Sequence, residues 1–269
     1  MDAVPAAATI AAPTSPATLC LKGGKALKGE ITLHGAKNAI SKQMVAALLS
    51  ADKSVLKNVS LIEDVYLVAD MIRALGGTVT IDDHDVTIEV PDLRLPSEKE
   101  MLAFANKSRI PPLACGPMLA RLGEAIIPMP GGCNLGSRPI NFHIEALKQL
   151  GAEVTEQPES YFLKAERLHG TKITLDYPSV GATEQVLLSS VLADGVTELS
   201  NAAVEPEIID LIAVLQKMGA IISVDTDRVI TVVGVAKLNG YNHTPIPDRL
   251  EAASWACMAA ATNGRIKVI

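Results

Sequence analysis

Cys133 lies in the run Pro130-Gly131-Gly132-Cys133-Asn134-Leu135-Gly136-Ser137-Arg138-Pro139. Glycines let backbone approach a ligand closely. Pro139 suits the first position of a helix, which places Arg138 at a helix start. A thiol near a guanidinium and a helix N-terminus has a depressed pKa and is more reactive, and the planar guanidinium matches phosphate or carboxylate. These residues fit a reactive cysteine in an anion-handling loop; they also fit an incidental loop thiol. The chain has three other cysteines, Cys20, Cys115 and Cys257. Cys115 and Cys257 fall in apolar helical patterns and read as inert core residues. None forms a C-x-x-C pair, so free thiols in a reducing, cytoplasmic setting are expected.

Three strand-to-helix junctions add to this chemistry: Gly35-Ala36-Lys37-Asn38, Lys107-Ser108-Arg109 before Ile110-Pro111-Pro112, and Ser179-Val180-Gly181-Ala182. Helix N-termini present unpaired N–H groups that favour anions. Lys37 and Arg109 strengthen that preference, although solvated surface charge explains either one alone. His143 follows Arg138 on the same predicted helix and reads equally as a packing residue. Glu205 and Glu207 open a helix, where carboxylates are expected from the dipole alone, and Asp248 fits an N-cap. No His/Cys/Asp cluster has metal-ligand spacing, and neither a G-x-x-x-x-G-K-[ST] nor a G-x-G-x-x-G motif occurs.

The elements that must position these residues come in repeats. Leu75-Gly76-Gly77, Leu150-Gly151-Ala152 and Met218-Gly219-Ala220 each end a helix-period apolar pattern and lead into a strand-like run. Glycine suits the left-handed position just past a helix end. Leu27–Leu33 echoes Leu168–Leu175, and Asn58 and Asn201 stand at the same distance before Gly76 and Gly219. Each unit reads strand, helix, strand, helix, strand, strand. The predicted helices are Ala39–Ser50, Val65–Leu75, Pro112–Arg121, Pro139–Leu150, Gln185–Ala193 and Glu207–Met218, and Leu250–Asn263 begins a fourth unit followed by a strand at Arg265–Ile269. The class is therefore α/β (α+β), three βαβαββ units sharing one core around a pseudo-threefold. The expected divisions are a disordered tail over residues 1–20, a strand region 21–36 belonging to a second domain, a complete three-unit domain 37–244 carrying the Cys133 loop, and the start of a second, truncated domain at 245–269.

Composition narrows the function. The chain has 269 residues, formal net charge -6, and no Lys/Arg run, which argues against nucleic acid as partner. Aromatic residues make up 3% against 48% apolar residues, so the core is built from small aliphatic side chains. The first 20 residues lack the basic start of a secretory leader, and no apolar run is long enough to span a bilayer.

Taken together, Gly35-Ala36-Lys37-Asn38-Ala39, Pro130–Cys133 through Gly136–Pro139, Ser179–Thr183, Glu205-Pro206-Glu207-Ile208 and Pro247-Asp248-Arg249 resemble the UDP-N-acetylglucosamine enolpyruvyl transferase family, from about Leu21 to Ile269. The resemblance implies an inside-out α/β barrel of two similar domains. It also implies transfer of the enolpyruvyl group of phosphoenolpyruvate to the sugar 3-hydroxyl with release of phosphate, by addition and elimination, without cofactor or metal. By matching position it makes Cys133 the loop acid and the site of fosfomycin adducts, with Lys37 and Asn38 holding phosphoenolpyruvate and Lys37 taking part in catalysis. Arg109 would contact phosphate-bearing ligands. Arg138, Pro139, Ile140, Asn141 and Phe142, together with Ser179, Val180 and Gly181, would hold the uridine diphosphate. Glu205, Asp248 and His143 would line the cleft. It further implies a role in peptidoglycan precursor synthesis. The sequence departs from the family at Arg109-Ile110-Pro111, at Asn141 where an acidic residue is common, and at Tyr177-Pro178, which lacks the usual lysine. The family's aspartate base and several arginines are expected beyond Ile269, supplied by a missing C-terminal domain. Otherwise self-association through the exposed fourth unit is expected. Two other readings use the same residues: a non-catalytic binding or regulatory module, and the sister shikimate-pathway transferase, which typically opens its first helix with Gly-Asp-Lys-Ser.

Overall fold

The computed structural model describes residues 18, 20, 22–129 and 140–269. In chain order the elements are β1 (Lys28–Ile31), α1 (Lys37–Ala46, extended by a 3-10 turn Ala47–Leu49), β2 (Ser54–Leu56), α2 (Glu63–Ala74), β3 (Thr78–Asp82), β4 (Asp85–Glu89) and α3 (Glu98–Ala105). A 3-10 turn at Pro111–Ala114 leads into α4 (Cys115–Leu122), then β5 (Glu124–Pro128), α5 (Asn141–Gln149), β6 (Glu153–Glu156) and β7 (Ser160–Lys164). There follow β8 (Lys172–Thr174), α6 (Val180–Ser190), β9 (Val196–Ser200), α7 (Pro206–Lys217), β10 (Ile221–Val224), β11 (Ile230–Val233), β12 (Asn242–His243), α8 (Arg249–Ala261) and β13 (Arg265–Val268). The chain divides into two compact units, Leu33–Glu251 and a smaller one comprising the described residues up to Thr32 with Ala252–Ile269.

In the larger unit the helices lie inside and the sheets outside. α6 buries every residue from Ala182 to Ser190, and a helix covered on all faces belongs at the centre of a fold. α4, α5 and α7 pack on it, and α1 packs on α2 and α7. Gly116 of α4 lets α6 approach: a Cβ there would stand 2.5 Å from Ser189 Oγ. The sheets run β12-β2-β4-β3, β5-β7-β6 and β10-β11-β9-β8. Burial alternates along β4 and β11, as expected for strands with one covered face. Arg121 fastens the end of the first unit to the second by donating to the carbonyls of Leu48, Ser50, Val90 and Pro91.

The repeat read from the sequence has a physical counterpart. Gly76, Gly151 and Gly219 all adopt positive φ, at 94°, 96° and 107°, and each ends a helix. Asn58 and Asn201 also take left-handed backbone, and each Nδ2 donates to the carbonyl of an earlier segment, Leu33 and Leu175 respectively. The second unit differs. Its sheet has three strands, whereas the other two gain a parallel fourth, β12 beside β2 and β8 beside β9. Where a leading strand was expected, the second unit has α3, started by a capping box between Ser97 and Glu100.

In the smaller unit β1 runs parallel to β13, with Lys28 opposite Arg265 and Ile31 opposite Val268. Gly264 sits against Leu27, whose carbonyl oxygen would lie 2.3 Å from an added Cβ. None of the α8 residues is buried. Cys257 is consequently exposed, not a core residue as its apolar neighbours suggest. Small apolar residues recur along α8, so its sequence reads as a core helix although no side of it is buried. Cys115, by contrast, is buried and burial pushes its thiol well above the ordinary range, as an inert core residue requires.

Candidate functional site

The start of α6 fixes one wall of a cavity of about 380 Å³. Ser179 caps the helix, its Oγ accepting from Ala182 N at 3.3 Å. Thr183 Oγ1 donates to the Ser179 carbonyl and accepts from Ala203 N at 2.9 Å. That second bond ties α6 to the turn before α7, whose N-cap residue Glu205 lines the same cavity as Ser179. The helix starts at Val180, five residues before the predicted Gln185. Gly181 and β-branched Thr183 lower helix propensity, but the Ser179 cap offsets them.

Further lining comes from Arg109, Ile110, Pro112 and Leu113, with Ile140 and His143 from the start of α5. Pro111 and Pro112 open the 3-10 turn that follows Arg109. His143 Nδ1 lies 3.3 Å from Gln185 Oε1, and burial holds the imidazole below its ordinary pKa. Its ring rests on Gly181, where a Cβ would come within 3.0 Å of Nε2.

Three more charged groups line the cavity: Lys42, Glu184 and Glu205. Lys42, from one turn inside α1, donates to the Asn38 carbonyl at 2.8 Å and lies 3.7 Å from Glu184 Oε1. The two side chains are 13% and 4% exposed. Burial raises the Glu184 carboxyl to about 7; Lys42 opposes the rise, and Glu205 and Glu207 add to it. Glu205 Oε2 is buried without a hydrogen-bond partner. A buried carboxylate oxygen with no donor is costly unless a ligand or solvent supplies one.

The cavity therefore brings together Arg109, Ile140, His143, Ser179, Val180, Gly181 and Glu205. Lys37, Asn38, Asn141, Phe142 and Asp248 do not line it. Lys37 and Asn38 are exposed at the first turn of α1, where Asp248 Oδ2 accepts the Lys37 N–H at 3.0 Å. Asp248 is buried and its other oxygen caps α8 through Leu250 N and Glu251 N. Asn141 is exposed and Phe142 packs on the core. Cys133, Arg138 and Pro139 lie outside the described residues. Among the described residues no group of His, Cys, Asp and Glu could hold a metal ion, and no helix is long and apolar enough to cross a membrane.

Sequence reasoning missed Lys42 and Glu184. A charged residue inside an otherwise apolar helix such as Val180–Ser190 is the signal that marks Glu184; Lys42 carries none beyond its place one turn after Asn38. Tyr177 and Pro178, singled out only for the absent lysine, line the cavity that Lys42 enters.

Relatives share this framework. Residues 21–269 match the family model for EPSP synthase (3-phosphoshikimate 1-carboxyvinyltransferase). A UDP-N-acetylglucosamine 1-carboxyvinyltransferase of Protochlamydia amoebophila is 44% identical over 256 residues, 93% of this chain and 55% of the relative. One from Corynebacterium efficiens is 44% identical over 92% of this chain and 58% of its own length. This chain thus spans only a little over half the length of these curated relatives. Among solved structures, the enolpyruvyl transferase NikO from Streptomyces tendae superposes with TM-score 0.76 at 21% identity, covering 87% of this chain and 56% of that one. EPSP synthase from Acinetobacter baumannii gives 0.71 at 21% identity, covering 87% and 53%. The fold is accordingly the enolpyruvyl transferase-like inside-out barrel of repeated βαβαββ units, and with the family model matched along nearly its whole length the chain belongs to the EPSP synthase family.

Proposed function

We propose that this chain is part of an enzyme that transfers the enolpyruvyl group of phosphoenolpyruvate to the 3-hydroxyl of UDP-N-acetylglucosamine, releasing phosphate. The observation that carries the reading is the convergence on one cavity of Arg109, Ile140 and Ser179-Val180-Gly181, residues far apart in the sequence that the resemblance assigns to the nucleotide-sugar. The names of the relatives at 44% identity support the same substrate.

In this reading the nucleotide diphosphate meets the α6 N-terminus and Arg109, whose positive ends favour anions. Lys37 and Asn38, exposed at the start of α1, face phosphoenolpyruvate. Addition needs a proton delivered to the enol carbon and a base for the sugar hydroxyl. Cys133 is the acid assigned by resemblance, and burial holds His143 below its ordinary pKa, which favours the neutral imidazole in the cavity. The reaction would serve peptidoglycan precursor synthesis in the cytoplasm.

The test is intact mass after incubation with fosfomycin, with and without UDP-N-acetylglucosamine. A single adduct on Cys133 that grows with the nucleotide-sugar supports the reading. An adduct promoted by shikimate 3-phosphate instead would favour the activity that names the family model. No adduct under either condition, in a chain shown by calorimetry to bind neither ligand, would overturn it.

A further inference from the structure

Lys42, Glu184 and Glu205 form a charged cluster on the cavity lining that the reaction outlined above leaves without a role. Its charges are poorly matched. Lys42 is the cation within salt-bridge distance of Glu184, at 3.7 Å, and Glu205 keeps one buried oxygen without a partner. Glu207 stands nearby but is paired with Arg249 at 2.8 Å. Arg109, His143 and Tyr177 complete the titratable and cationic lining. A dianionic ligand entering here meets two carboxylates, and like charges at short range disfavour both being ionised.

We propose that Lys42 is a specificity-determining residue that receives a phosphate of the nucleotide-sugar, and that Glu184, its partner here, takes up a proton as Lys42 turns to the ligand. The inference rests on the nucleotide-sugar reading of the cavity. Lys42 is placed for this. Its ammonium is held by one carbonyl and one carboxylate oxygen, and its stem leaves α1 toward the same space that Ser179 and Arg109 line. Removing the ammonium from Glu184 while an anion arrives leaves that carboxylate buried with no counter-charge, which favours its protonated form. The free carboxyl already titrates at about 7, so one proton suffices near neutral pH. The pyrophosphate diester of the ligand, with one charge on each phosphate, stays dianionic throughout this range, and burial holds His143 below its ordinary value, toward the neutral form.

Calorimetric titration of the full chain with UDP-N-acetylglucosamine, in two buffers of different ionisation enthalpy, tests this. Uptake approaching one proton is expected at about pH 8 and little at about pH 6, with affinity falling up to about tenfold per pH unit between them. Lys42→Met should weaken binding by about tenfold or more and abolish the uptake, as loss of a charged hydrogen bond predicts. Lys42→Arg should restore affinity to within a few-fold. Glu184→Gln should bind at about pH 8 as the unaltered chain does at about pH 6, with no proton uptake. Binding with no proton uptake, and with Lys42→Met unchanged, would overturn the inference and leave the nucleotide-sugar reading intact. No binding of UDP-N-acetylglucosamine by the unaltered chain would overturn both.

Discussion

Neighbouring residues of α1 serve two buried polar clusters with opposite character. Gln43 donates to Asp210 Oδ2 at 2.7 Å, and Ile246 N donates to the same oxygen at 3.0 Å. His243 Nε2 meets Oδ1 at 2.9 Å, and its Nδ1 takes a hydrogen bond from Lys217 Nζ at 2.8 Å. Both Asp210 oxygens are satisfied, and Gln43 Oε1 is the atom of this cluster left without a partner. Burial pushes the Asp210 carboxyl up, but His243, Ile246 N and Gln43 together hold it below the ordinary aspartate range. Lys42, one residue earlier, serves the other cluster, where Glu184 is raised to about 7 and Glu205 has an oxygen with no donor. The first cluster supplies partners to both oxygens of its carboxylate without a ligand and joins α1, α7 and β12. The second borders a cavity and has unmet capacity. Buried polar groups that are fully paired hold a fold together, and those left short at a cavity mark a place for chemistry or binding.

The comparison breaks first at Asp210. Asp210→Ala should cost about 3–5 kcal/mol and roughly 10 °C in Tm, because Gln43, His243 and Ile246 N lose the acceptor they share. Thermal unfolding measures it. The depressed carboxyl contributes stability that is fully present above the ordinary aspartate pKa and disappears as pH falls through its lower folded value, so Asp210→Asn should flatten the acid limb of stability against pH.

Glu184→Gln should act in the opposite direction. The unfolded carboxyl ionises from about 4.5 and the folded one only near 7, so the unaltered chain loses stability as pH rises between them. The variant should therefore match it at about pH 4 and exceed it by about 3 kcal/mol at about pH 8, read by urea unfolding at the two pH values. Equal stability at both would remove the contrast between the clusters.

How far the sequence led is visible in these same residues. The helix stops at Gly76, Gly151 and Gly219 were legible because a left-handed backbone position favours glycine whatever packs around it. The α6 cap at Ser179 and the cavity wall at Arg109 and Gly181 were legible from junction chemistry. The Lys42–Glu184 pair was not, since it joins two distant helices and pattern gives each only a charged residue on an apolar element. The Ser97/Glu100 capping box stood in the sequence, but the expected repeat favoured a strand there. Cys257 shows the limit most plainly: a helix with small apolar residues on every side does not announce which of them is covered.

Two smaller effects sharpen the picture. Asp248→Ala removes the acceptor shared by Lys37 N, Leu250 N and Glu251 N and should cost about 1–2 kcal/mol in thermal unfolding, with both helix starts losing protection in hydrogen exchange. Gly181→Ala should cost about 1 kcal/mol in thermal unfolding, because its Cβ would meet His143 Nε2 at 3.0 Å and the ring must shift.

The most direct test of the contrast is a carbon-13 NMR titration of the side-chain carboxyls in the free chain, assigned with Glu184→Gln and Asp210→Asn. The account predicts that Glu184 titrates at about 7 and Asp210 below the ordinary aspartate value. A Glu184 carboxyl titrating near its ordinary 4.5, as a solvated or fully paired glutamate would, contradicts it.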